Sequence, residues 1–151
     1  MTVSPAQKPI FVLQGPNLNL LGEREPHLYG TTTLAEIHDS LVAQGEAAGV
    51  AVECRQSNHE GQLIEWIQEA RMASCGLIIN AAALTHTSVA LSDALAAYPQ
   101  TIMEVHLSNL WKREAFRHHS YVSPYATGVI CGLGAEGYTV AMQALIKRLK
   151  P

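Results

Sequence analysis

The sequence predicts an α/β fold built on one doubly wound parallel sheet. Three observations predict it. Five strand-like and five helix-like segments alternate along the 151 residues, with no internal repeat and no low-complexity linker between them. One segment, Gly76-Leu-Ile-Ile-Asn80, is apolar up to its last residue, as a strand covered on both faces should be. The composition, 48% hydrophobic and 15% charged, suits a single globular domain with a sizeable core and argues against disorder.

Each element has its own signal. Residues 10–14, Ile-Phe-Val-Leu-Gln, form a short buried strand. Thr33 and Glu36 have capping-box spacing, so a helix runs from Leu34 to Ala48 and is closed by Gly49. Val50, Val52 and Cys54 alternate with Ala51, Glu53 and Arg55, giving a half-covered second strand. Ser57 and Glu60 repeat the capping spacing ahead of a helix to Ala73, with Leu63, Ile64, Ile67 and Ala70 on one face. After the third strand, Thr87 or Ser88 caps a short helix that ends before Pro99. Thr101 to Leu107 is the fourth strand. Residues 109–127 are polar and irregular, with a helical turn around Arg113 to Phe116. Val129 to Cys131 is a short fifth strand, and Glu136 to Leu149 the last helix. Five strands suggest the flavodoxin-like order 2-1-3-4-5, an expectation drawn from the fold class alone. Residues 1–151 are read as one catalytic domain, residues 1–9 as a flexible tail without the apolar core of a signal peptide.

Bulk properties exclude several classes. A net charge of −3 disfavours nucleic acid or an acidic membrane surface as partner. No apolar run approaches the roughly 20 residues of a membrane span. Cys54, Cys75 and Cys131 are odd in number and form no CxxC pair, so they read as reduced, buried small residues of a cytoplasmic protein. The low charge content hints at surface buried between subunits.

The candidate site follows from position. The first, third and fourth strands run into Asn17, Asn80 and His106, each followed by further polar groups. In the expected order these strands are neighbours, and their C-terminal ends lie on one edge, where open α/β sheets bind ligands. Asn17, Asn80, His86, His106 and Ser108 should therefore meet one another and the loop that carries Arg24 and Tyr29. Tyr29 is a candidate base: a free phenol titrates near pH 10, but a nearby cation favours the phenolate, and Arg24 never loses its charge. The bland alternative packs Tyr29 under the loop and pairs Arg24 with Glu23 or Glu25; spacing alone tips slightly toward it. Gly22 and Gly30 bracket the segment and would let it move as a lid. Glu104 and His106 project from one face of their strand, an arrangement that suits a general acid and equally a structural His–Glu pair. Thr85-His-Thr-Ser88 offers helix caps, or a substrate contact from His86. Arg117-His-His-Ser120 holds one fork donor and two imidazoles, but no spacing supports a metal site. Gly132-Leu-Gly134-Ala-Glu-Gly137 fits GxGxxG between a strand and a helix. A dinucleotide fingerprint also needs an acidic residue about 20 positions on in a further βαβ unit, and no such unit follows, so these glycines read as tight-turn positions.

Several blocks carry a family resemblance: GPNLNLLG (15–22), REPHLYG (24–30), QSNHEGQLIEWI (56–67), THTSVAL (85–91), EVHLSN (104–109), and FRHHSY, SP and ATGVICGLGAEGY within 116–138. Together they resemble type II 3-dehydroquinate dehydratase. The resemblance implies a flavodoxin-like subunit in a dodecamer of four trimers, with reversible anti elimination of water from 3-dehydroquinate to 3-dehydroshikimate and with neither cofactor nor metal. It implies that Tyr29 removes the C2 proton with Arg24 beside it, that Asn17 stabilises the enolate through an ordered water, and that His106, oriented by Glu104, protonates the leaving hydroxyl. Asn80 and the amides of Leu107 and Ser108 resemble the family's carboxylate cradle. His86 and Arg117 resemble its contacts to ring hydroxyls, and Asp93 an acidic residue that reaches a neighbour's site.

The sequence departs from the family pattern at Ala81-Ala-Ala-Leu84, at Ser92, and at Trp111-Lys-Arg-Glu-Ala115, none of which touches the Tyr, Arg or His of the mechanism. Competing readings are a catalytically silent flavodoxin-like sensor and a binding or signalling module. A phospho-acceptor module should end its first and third strands in acidic residues, where this chain has Asn.

Overall fold

The structure, a computed structural model, describes residues 7–149. Five parallel strands, β1 (Ile10–Gln14), β2 (Val52–Gln56), β3 (Gly76–Asn80), β4 (Ile102–His106) and β5 (Gly128–Cys131), form one sheet in the order β2-β1-β3-β4-β5. The expected strand order is the observed one. Five helices connect and flank them: a single turn α1 (Pro26–Tyr29), then α2 (Leu34–Ala47), α3 (Glu60–Ala73), α4 (Val89–Ala96) and α5 (Glu136–Ile146).

Strand alternation decides which helix goes where. Ile10 and Val12 of β1 point to one face and pack with Ile37 and Leu41 of α2 and Met142 and Leu145 of α5. Phe11 and Leu13 point to the other and pack with Leu63 and Ile67 of α3 and Leu91 and Leu95 of α4. Both faces of the three central strands β1, β3 and β4 are thus covered, and their residues are buried throughout. β2 lies at an edge and is only half-covered, as its alternation predicted.

The register brings the chemistry-bearing strand ends level. Gln14 of β1 lies opposite Asn80 of β3, and the Gly15 amide donates to the Asn80 carbonyl at 2.8 Å. Only glycine fits there: a Cβ on Gly15 would lie 2.5 Å from the Ala81 carbonyl oxygen.

Local differences from expectation have local causes. Thr33 caps α2, accepting from the Glu36 amide at 3.2 Å, and Ser88 caps α4, accepting from Leu91 at 2.9 Å. Ser57 does not cap α3. Its hydroxyl accepts from the His59 amide two residues on, a local turn that uses up the oxygen before the helix starts. The last helix stops at Ile146, three residues early, and the turn expected around Arg113 splits into two 3-10 turns, Leu110–Lys112 and Ala115–Arg117, with Arg113 extended between them. The three cysteines are free but half-buried rather than buried; burial, reinforced by the Asp39 charge, pushes the Cys54 thiol up to about 12. Of the tail expected at 1–9, residues 1–6 lie outside the described residues, while Pro9 accepts a backbone bond from Cys75 at 2.9 Å.

Candidate active site

Where β1, β3 and β4 end, Asn17, Asn80 and His106 line one pocket, joined by Leu107 and Ser108. Arg24 and Tyr29 reach it from the first loop, and His86 and Arg117 from the loops after β3 and β4. Glu104 stands behind His106, 1% exposed. Asp93 is the exception: it is exposed on α4 and does not line this pocket.

Tyr29 closes α1, a helical turn started by Pro26 and entered and left through positive-φ residues, Glu25 (φ 40°) and Gly30 (φ 81°). Two guanidinium groups lie against its ring, Arg24 with Cζ 5.1 Å from the centroid and Arg113 at 5.5 Å. Arg113 also donates through Nη2 to the Tyr29 hydroxyl at 3.2 Å and through Nη1 to Ser108 Oγ at 3.0 Å. Arg24 is shared with Glu25 at 3.7 Å, so part of the bland alternative holds as well. Sequence reasoning missed Arg113, and the expectation that the departure at residues 111–115 leaves the Tyr untouched is overturned by this contact. Arg113 sits in a polar stretch with Lys112 and Arg117, and nothing in the spacing singles out one cation of three.

The second cluster surrounds His106. Its Nε2 donates to Glu104 Oε2 at 2.5 Å. Ser120 Oγ donates to the same oxygen at 2.9 Å and Ser123 Oγ to Oε1 at 2.6 Å. Ser120 is itself fixed by the amides of Val122 and Ser123. Burial alone would raise the Glu104 carboxyl, but the bond and charge of His106 and the two serine hydroxyls outweigh it and hold the group below the usual carboxylate range. The ring of His86 stacks near that of His106, centroids 6.4 Å apart, and its Nδ1 donates to the His119 carbonyl at 2.7 Å. Burial, helped by the charges of His106 and Arg117, lowers the His86 pKa despite that bond, so His86 is held toward its neutral form. Arg117 is anchored by its Nε donating to Glu114 at 2.8 Å.

Asn17 has a left-handed backbone, φ 69°. Its amide donates to Asn58 Oδ1 at 2.9 Å, and Gln56 Nε2 donates to the same oxygen at 3.1 Å and to the Gly15 carbonyl at 3.2 Å. The end of the edge strand β2 thus braces the loop that presents Asn17.

The family model for dehydroquinase class II matches residues 8–146. The chain belongs to the class II dehydroquinases. Relatives match more than nine-tenths of its length. The 3-dehydroquinate dehydratase 2 of Pseudomonas aeruginosa is 58% identical across 93% of this chain and 95% of its own. The 3-dehydroquinate dehydratase of Mesorhizobium japonicum is 53% identical across 94% and 99%. Among solved structures, the type II dehydroquinase of Propionibacterium acnes superposes with a TM-score of 0.90 at 44% identity, covering 95% of this chain and 99% of that one. This class II dehydroquinase therefore combines its family's fold with a pocket that holds a phenol contacted by two guanidiniums and a carboxylate-bound imidazole.

Proposed function

We propose that this chain is a 3-dehydroquinate dehydratase, a lyase that removes water from 3-dehydroquinate to give 3-dehydroshikimate through an enolate. The observation that carries the reading is the meeting, in one pocket, of Tyr29 under Arg24 and Arg113 with His106 on Glu104.

The substrate has a ketone at C3, an acidified C–H at C2 and a hydroxyl at C1. Tyr29 as phenolate takes the C2 proton, and the electron pair moves onto the ketone oxygen as an enolate. Arg24 and Arg113 stabilise the phenolate that must exist beforehand, because a fixed positive charge favours the anionic form. Asn17 holds the enolate oxygen through a water. Collapse of the enolate expels the C1 hydroxyl, which His106 protonates, so one water leaves. With Nε2 bound to Glu104, His106 offers Nδ1 to the reaction, and Glu104 stabilises the imidazolium before it gives up its proton. Base and acid work on opposite ring faces, an anti elimination. Asn80 and the backbone of Leu107 and Ser108 hold the carboxylate, and His86 and Arg117 hold ring hydroxyls. The chemistry needs no cofactor or metal.

The chain works in the cytoplasm as a dodecamer of four trimers. Asp93, exposed on α4 away from its own pocket, supports a role in a neighbouring subunit's site. Among the described residues no helix is long and apolar enough to cross a membrane.

Purified protein given 3-dehydroquinate should generate the ultraviolet absorbance of a conjugated enone, unaffected by borohydride or chelator. Ligand-induced thermal stabilisation without that absorbance would replace the enzyme with the sensor reading.

A further inference from the structure

Tyr138 has no part in the chemistry above, yet it is among the most buried large side chains, 1% exposed. Its hydroxyl accepts from Asn80 Nδ2 at 2.8 Å and donates to Gln14 Oε1 at 2.6 Å. Asn80 Oδ1 in turn accepts from the Ala82 amide at 3.1 Å. The direction of this relay is forced from one end. The Ala82 amide can only donate, so Asn80 must turn its oxygen to it and its nitrogen to Tyr138. The Tyr138 oxygen is then an acceptor, its proton goes to Gln14, and Gln14 must present Oε1. Burial pushes the Tyr138 hydroxyl well above the ordinary phenol range, so the proton it donates is always there. Ala82 adds to the constraint, since it is held at φ 52°, a left-handed position that a side-chain bond from Asn80 stabilises.

We propose that Tyr138 is a positioning residue: the Ala82 amide sets which way the Asn80 amide faces, and the Tyr138 hydroxyl holds its nitrogen in place, so that the second Nδ2–H of Asn80 meets the substrate carboxylate. The inference rests on the reading of Asn80 as a carboxylate contact. It also gives the GxGxxG stretch a purpose. Gly132 and Gly134 adopt positive φ, and their amides donate to the carbonyls of His106 and Leu107 at 3.2 and 3.0 Å. The glycine turn thereby pins the start of α5 to the end of β4, and Tyr138 in the first turns of α5 comes to lie under Asn80. A flipped Asn80 amide would face a carboxylate with an oxygen; the relay removes that option before substrate arrives.

The test compares 3-dehydroquinate with its carboxamide as substrates for the wild type, Tyr138→Phe, Asn80→Ala and the double variant. Tyr138→Phe should raise KM for 3-dehydroquinate by about twofold to tenfold, the worth of one hydrogen bond, with kcat nearly unchanged. The preference for the acid over the amide should fall by the same factor, and the double variant should be no worse than Asn80→Ala. A merely structural role would lower kcat/KM for both substrates alike and overturns the proposal. If Asn80→Ala lowers the preference and Tyr138→Phe does not, the relay is wrong and the carboxylate reading stands; if Asn80→Ala leaves it unchanged, both fall. Gln14→Met provides a second variant should Tyr138→Phe fold poorly. It removes the acceptor for Tyr138 together with the buried, unpartnered Gln14 Nε2, and should shift the preference in the same direction. An unchanged preference in a folded Gln14→Met overturns the relay.

Discussion

Arg113 Nη2 donates to the Tyr29 hydroxyl at 3.2 Å, across 84 positions of sequence, and ties the loop after β4 to the loop after β1. Arg113→Met removes both this bond and one of the two cations on the ring. A hydrogen bond between a charged donor and its partner is worth about 1.5–3 kcal/mol, so kcat should fall by about tenfold to a hundredfold. The deuterium isotope effect at C2 should grow, because proton removal becomes slower relative to later steps. An unchanged isotope effect would mean that Arg113 serves binding rather than the base.

Tyr29→Phe deletes the proposed proton acceptor together with the oxygen that accepts from Arg113 Nη2. Turnover should drop by about a hundredfold to ten-thousandfold, the usual worth of a positioned acid or base, while calorimetry finds ligand affinity within a few-fold of wild type. Wild-type-like turnover would rule out Tyr29 as the base.

Stability should fall in two steps on acidification. The pKa values of His38 and His86 are lowered in the folded state, by burial in both cases, so the unfolded chain takes up protons first. Their contribution is complete above the ordinary His value of about 6.5 and is lost below it. The Glu104 pKa is also lowered, so its contribution is complete above the ordinary carboxylate value and is lost as pH falls through the folded one. Melting temperatures recorded from pH 8 to pH 3.5 should show both declines, and Glu104→Gln should flatten the second. A flat profile between pH 7 and pH 5 would contradict the histidine assignment.

Gly15→Ala places a Cβ 2.5 Å from the Ala81 carbonyl oxygen, and backbone must move to make room. The cost should be about 1–3 kcal/mol in denaturant unfolding. Activity should fall further than stability, because Asn17 and Asn80 flank the clash. Activity at wild-type level in the folded variant would show that the site tolerates displacement of these strand ends.

Asp93 offers a check on assembly. Asp93→Ala should lower turnover, and mixing it with the inactive Tyr29→Phe protein should restore some activity if trimers exchange subunits and the site is shared. A fully active monomer isolated by size-exclusion chromatography would end the shared-site idea.

Much of the fold was legible because its signals are periodic or local. The apolar run of β3, the half-covered alternation of β2 and the caps at Thr33 and Ser88 each rest on residues a few positions apart. The clustering of Asn17, Asn80 and His106 also followed, since parallel strands put their C-terminal ends on one edge. What stayed hidden depends on contacts between distant side chains. Arg113, the Ser120–Ser123 pair under Glu104, Asn58 behind Asn17 and Tyr138 under Asn80 all act through partners that no spacing rule connects. Ser57 misled because its hydroxyl met a nearer amide than the helix cap required.

The sheet order has a consequence for synthesis. β1 is translated first but lies in the interior, between β2 and β3. Its second neighbour follows about 60 residues later, roughly 3–12 s at ribosomal speed. The apolar strand Ile-Phe-Val-Leu is on the nascent chain with both flanks unpaired until β2 emerges, and with one flank unpaired until β3 follows. The pocket cannot exist until β4 and the loop bearing Arg113 have also emerged. The chain therefore becomes an enzyme late, and its period of greatest exposure to aggregation comes before it has any activity to lose.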